Sequence, residues 1–146
     1  MSSDTQSTRI PAWLPGTTLA LLRIFTGLLF MQHGVQKLFG LLVPPDRPWN
    51  GAPPMFSQFW FAGVLETFGG ALIVLGLLTR PVAFLLAGEM AVAFFQAHFP
   101  RSFWPIRNGG EGPVLFCFIY LYFFAVGAGP WSIDSLLGKA RSAGKA

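Results

Sequence analysis

The chain has 146 residues, of which 53% are hydrophobic and only 11% charged, with a formal net charge of +4. A soluble domain of this length carries about 25% charged residues, so the balance points to an integral membrane protein of one compact unit. The basic residues are scattered without a Lys/Arg run, which argues against nucleic acid as a partner, and the single Cys117 excludes an internal disulfide, a dithiol motif and covalent haem attachment.

In chain order, residues 1–16 read as a polar, Pro-interrupted tail with Trp13 near its end. No small-x-small cleavage site follows a short apolar core, so the first helix is expected to stay. Helix one is predicted over about 17–42 and closed by Pro44-Pro45. Residues 43–56 hold five of the twelve prolines and form a loop. Helix two is predicted over about 57–78, helix three over 81–98 after the Thr79-Arg80-Pro81 turn, and helix four over 113–127. The uncharged run from Gly112 to Ile133 is long enough to span a bilayer. Residues 17–129 thus form the membrane domain, and residues 130–146 an interfacial tail in which Ser132 can cap a short helix.

Trp13, Trp49, Trp60, Trp104 and Trp131 all fall at predicted span ends, as an interfacial aromatic belt requires. Arg9, Arg80, Lys139, Arg141 and Lys145 on one side, against Arg47, Arg101 and Arg107 on the other, put both termini in the cytoplasm. Ala83, Ala87 and Ala91, and Gly63 and Gly70 around Glu66, suit close helix contact. The predicted fold is all-α, a four-helix membrane bundle.

The first helix carries the argument about function. Arg23, Gly27, Phe30, Gly34 and Lys37 share one face at helical spacing. An unpaired cation at the bilayer centre costs roughly 2.5–3.5 kcal/mol, so this face must meet polar partners inside the bundle. Counting about 1.5 Å per residue from the cytoplasmic ends places Arg23 and Glu89 in the inner half, where they read as a structural ion pair. Glu66, His33 and Lys37 fall in the outer half, with Gln36, Gln96 and His98 in the same zone and Glu111 arriving from the NGGEG loop. That outer cluster reads as a polar pocket. Glu66 and Lys37 are the candidate proton-handling pair; His33, Gln36, Gln96, His98 and Glu111 are candidate ligand contacts. His33 and His98 could bracket a haem, although no other feature asks for one, and no cluster has the spacing of a metal site. Each of these groups could equally serve only to fix the bundle, and Cys117 reads as packing.

Arg23, Gly27, His33-Gly34, Lys37-Leu38, Glu66-Thr-Phe-Gly-Gly70, Gly76-Leu-Leu-Thr-Arg80, Ala93, His98, Asn108-Gly-Gly-Glu111 and Gly129-Pro-Trp-Ser-Ile-Asp134 together resemble the DoxX family, over roughly residues 18–137. The resemblance implies a small four-helix protein of a bacterial-type inner membrane. It also implies a link to quinone-coupled oxidoreduction and to membrane redox complexes, though most members have no assigned activity. The expected function is a redox-complex subunit holding a quinone-like ligand, with membrane lipids and a soluble or membrane redox protein as partners and a homo-oligomer left open. A carrier of a lipid-like molecule, or a membrane anchor without catalysis, are the alternatives.

Overall fold

The computed structural model describes residues 10–46 and 48–143. The start of the N-terminal tail with Arg9, the loop residue Arg47, and Lys145 lie outside the described residues. Every regular element within them is helical: α1 Trp13–Phe39, α2 Gln58–Leu75, α3 Thr79–Arg101, the single turn α4 Pro105–Asn108, α5 Glu111–Val126 and α6 Ile133–Ala143. By length and composition α1, α2 and α3 can each cross a membrane. The apolar helix α5 has 16 residues, about 24 Å at 1.5 Å each, against a hydrocarbon core of about 30 Å. The uncharged run extends to Ile133, but Gly127 takes φ +85° and ends the helix.

The helices begin earlier than the prolines suggest. Pro15, Pro81 and Pro113 each occupy the third position of a helix, after Trp13-Leu14, Thr79-Arg80 and Glu111-Gly112. The first four N–H groups of a helix have no intrahelical partner, so a proline there removes no hydrogen bond. The prolines mark helix starts rather than the residues before them. The ends come earlier too, because Gly40 and Gly76, both at φ +65°, terminate α1 and α2 in the left-handed conformation that glycine adopts freely.

Packing is inverted relative to a soluble protein. Leu21, Phe25, Leu29, Phe68, Phe84 and Phe118 point outward, while Arg23 and Glu66 are 0% and 3% exposed. Such an apolar exterior around buried charge is stable against lipid. The helices pack mainly as two pairs, α1 with α2 and α3 with α5, around Phe30, Ile73, Leu86, Tyr120 and Phe123. The polar face of α1 turns inward along its length: Arg23, Gly27, Phe30 and Gly34 are all buried. A Cβ on Gly27 would meet the Gly70 carbonyl at 2.8 Å, and one on Gly34 would meet the Gly63 carbonyl at 2.8 Å. Glycine is what lets α1 and α2 touch backbone to backbone.

Arg23 does not pair with Glu89. Its guanidinium donates to the Ile73 carbonyl at 2.6 Å, to the Val74 carbonyl, and to the Trp131 carbonyl at 2.8 Å. The reason is that α2 stops at Gly76, leaving C-terminal carbonyls short of helical donors, with only the Gly76 amide reaching Ile73 at 3.1 Å, and the forked guanidinium serves several at once. Beside it, Asp134 accepts from the Leu78 and Thr79 amides at 2.9 Å each, while its own amide donates to the Gly76 carbonyl at 2.9 Å. One cation thus closes the end of α2, and one carboxylate caps the start of α3. Together they clip the C-terminal segment to the turn between these helices. Ser132 caps α6 as expected, accepting from the Ser135 amide at 3.2 Å.

Candidate functional site

Glu66 lies ten residues before Gly76, and Glu89 ten residues after Thr79, so both stand about 15 Å from the same turn. They are level with each other, two turns deeper than the carbonyls that Arg23 holds. The depth count placed them apart because it started α2 at Leu78 and α3 at Pro81.

Both acids line a cavity of about 430 Å³ between α2 and α3, with Lys37 of α1 in its wall. The Lys37 ammonium donates to Glu66 Oε1 at 2.5 Å, the one salt bridge among the described residues. The Glu66 side chain is 4% exposed and that of Lys37 31%. Glu66 Oε2 and both Glu89 carboxyl oxygens are buried without a hydrogen-bond partner among the described residues. The Tyr120 hydroxyl on α5 is buried and unpartnered as well, and both carboxyls lie close enough to act on it electrostatically. Buried polar atoms are almost always satisfied, so three carboxyl oxygens without partners on one cavity wall single it out as the candidate site.

The remaining cavity wall is apolar and reaches the outer surface. Phe59, Phe61, Leu85 and Val92 line it and are exposed. Gln58 and Gln96 close one end, with the Gln58 amide donating to Gln96 Oε1 at 2.5 Å. A polar wall of Lys37, Glu66 and Glu89 facing an apolar, laterally open slot suits an amphiphile with a hydrogen-bonding head and an apolar body.

Two local distortions bear on the lining. α2 contains a π-helical turn at Leu65–Gly69 that includes Glu66, and α3 contains one at Phe94–His98 that includes Gln96. Each inserts one residue into the helical repeat and re-aims the side chains around it, a distortion that concentrates at functional sites.

The cavity gathers some of the expected ligand residues and leaves others out. Lys37, Glu66 and Gln96 line it; His33, Gln36, His98 and Glu111 do not. His33 is exposed and packs edge-on against Phe116, with ring centroids 6.4 Å apart. Gln36 donates to the Leu42 carbonyl at 3.2 Å, tying α1 to its following loop. His98 Nδ1 sits 3.0 Å from the Asn108 carbonyl, and Glu111 is exposed in the first turn of α5. The two histidines therefore serve separate local contacts. Glu89 is the member that the sequence assigned elsewhere. Tyr120 carried no signal, since one tyrosine in an apolar helix reads as core. Among the described residues no three His, Cys, Asp or Glu side chains gather as metal ligands.

With this geometry in place, the relatives can be compared. The DoxX family matches residues 18–99, a span that contains Arg23, Lys37, Glu66 and Glu89. The chain belongs to the DoxX family. Among similar DoxX-type chains, a Haemophilus influenzae protein of uncharacterized function is 40% identical over 122 residues, covering 80% of this chain and 88% of its own. An uncharacterized membrane protein of Mycobacterium tuberculosis is 27% identical, covering 84% of this chain and 82% of its own. A Bacillus subtilis protein named "Putative oxidoreductase CatD" is 26% identical, covering 85% of this chain and 90% of its own. No solved structure matches the chain. As a DoxX protein with three apolar helices of spanning length, it is a helical membrane protein.

Proposed function

We propose that this DoxX protein is a subunit of a membrane redox complex that holds a quinone-like ligand in the cavity between α2 and α3. The observation that carries this reading is a laterally open apolar slot ending on a buried Lys37–Glu66 pair with unsatisfied carboxyl oxygens. The Lys37 ammonium has donors to spare for a ligand carbonyl, and Glu66 can give a proton to a reduced oxygen. Full reduction of a quinone takes two electrons and two protons, so Glu66 would deliver one proton and the Lys37 ammonium, or Glu66 again after reprotonation from water, the second. The electrons would come from a partner protein with its own redox group. The oxidoreductase name of the Bacillus subtilis relative favours the same reading.

In this reading α5 serves as a fourth, short span, both termini face the cytoplasm and the protein sits in an inner membrane. Arg80, Lys139 and Arg141 then gather on the cytoplasmic side. The test is mass spectrometry of small molecules extracted from gently purified protein. A stoichiometric quinone that is lost in Lys37→Met or Glu66→Gln supports the proposal. Protein that is folded and consistently free of any quinone overturns it.

A second reading, a carrier of a lipid-like molecule, draws on the exposed rim of Phe59, Phe61, Leu85 and Val92, through which a lipid can enter sideways. Uptake into proteoliposomes without an electron donor separates the two.

A further inference from the structure

Lys37 has two faces. On one side it lines the cavity with Glu66 and Glu89. On the other it lines a second pocket, of about 330 Å³, beneath the Pro-rich loop, together with Gln36, Val43, Trp49 and Asn50. Its ammonium bonds Glu66 between the two spaces.

The charges around the cavity do not balance. Glu66 and Glu89 present two carboxyls, and Lys37 is the one cation in that wall. From the other packed elements, His33 of α1 lies within electrostatic reach of Glu66 and Tyr120 of α5 within reach of both acids, but neither lines the cavity. With every group ionised the wall would keep a surplus negative charge inside an apolar bundle, which lipid and protein both penalise. One proton on the two carboxyls removes that charge. The proton would also give an orphaned oxygen a donor function, and Glu66 Oε2, both Glu89 oxygens and the Tyr120 hydroxyl have no partner among the described residues.

The geometry points to a proton-binding site at Glu66 and Glu89, filled and emptied from the loop side through Lys37. Glu66 and Glu89 between them hold one proton at neutral pH. In filling, the Lys37 ammonium gives a proton to Glu66 and the resulting amine takes one from a hydrated proton in the loop-side pocket, leaving water; emptying is the reverse. No electrons move, and each transfer breaks one N–H or O–H bond and forms another. The site stands whether or not the cavity's ligand is a quinone. It makes Glu89 a functional group and gives the membrane cavity a proton connection to one face.

Infrared spectroscopy of the protein reconstituted in lipid tests both parts. Wild-type protein at neutral pH should show a protonated-carboxyl carbonyl band that shifts in heavy water and is lost in Glu89→Gln or Glu66→Gln. Absence of that band in the wild type, or its persistence in both variants, overturns the site. For the route, Asn50→Cys in a Cys117→Ser background places a thiol in the loop-side pocket. Labelling it with a bulky, membrane-impermeant maleimide should slow the heavy-water shift at least several-fold. An unchanged rate overturns the route. These last measurements use folded wild-type-like protein, so they decide the matter even if a carboxyl variant fails to fold.

Discussion

Lys37 and Glu66 meet at 2.5 Å across the α1–α2 contact, one partner a third open to its surroundings and the other almost wholly enclosed. That asymmetry sets what each substitution does. Lys37→Met strands Glu66 in the bundle and should destabilise by about 3–5 kcal/mol, the range for breaking a buried ion pair from one side. Glu66→Gln keeps an acceptor for the ammonium and should cost clearly less. Thermal unfolding in detergent reads the difference. Equal losses would mean that the pair is solvated and contributes little.

Arg23 gives a test of the corrected partner. Arg23→Leu takes the guanidinium from the Val74 and Trp131 carbonyls, at about 1–3 kcal/mol for each group left buried and unsatisfied, while the Ile73 carbonyl keeps the Gly76 amide at 3.1 Å. Adding Glu89→Leu should not recover that loss, because Glu89 lies in a different layer. Recovery in the double variant would restore the Arg23–Glu89 pairing that the charge pattern suggested.

Asp134 makes the α3 start sensitive to pH. Burial raises the carboxyl's pKa, but the Thr79 and Leu78 amides and the nearby Arg23 charge outweigh it and hold the pKa below the usual carboxylate range. A depressed folded pKa means stabilisation that is complete above the unfolded value, about 3.9, and lost as pH falls through the folded one. Asp134→Ala should therefore cost about 0.5–2 kcal/mol at neutral pH, as loss of an N-cap does. The gap to wild type should close in strong acid. A gap that stays constant with pH would show that the side chain acts through packing alone.

Gly34→Val tests the backbone contact between α1 and α2. The added side chain has no room beside the Thr67 amide and the Gly63 carbonyl, so α1 must move. A loss of about 1–3 kcal/mol is expected, as for other overpacked interiors. Gly88→Ala is the control, since nothing lies near a Cβ there, and it should be neutral. If both behave alike, the helices are not in close contact.

Much of this arrangement was legible in the residues. The 4-3-4-3 spacing from Arg23 to Lys37 identified the inward face of α1, because no lipid-facing stripe would carry two cations. Lys37, Glu66 and Gln96, grouped by the depth count, line one cavity. What misled was punctuation. Proline reads as a breaker, yet at the third helical position it costs no hydrogen bond, so the helix starts were set too late. The late start of α3, together with an end of α2 set at Leu78 rather than Leu75, moved Glu89 out of the Glu66 layer and gave Arg23 a partner it does not have. Arg23's true partners are main-chain carbonyls, which no side-chain pattern can announce. The contacts of His33, His98 and Glu111 depend on rotation about each helix axis, which depth alone does not determine.

The π turns at Leu65–Gly69 and Phe94–His98 have a genetic consequence. Each is one residue more than an α-helix needs, so the stripe of side chains facing the core changes phase by about 100° partway along α2 and α3. A substitution scan through either helix should show a tolerance rhythm that skips a beat at the turn. A one-codon deletion there can be absorbed as ordinary α-helix, leaving the helix whole and the segments beyond it in phase. The bundle would survive while the side chains of the turn itself, Glu66 or Gln96, lost their aim into the cavity.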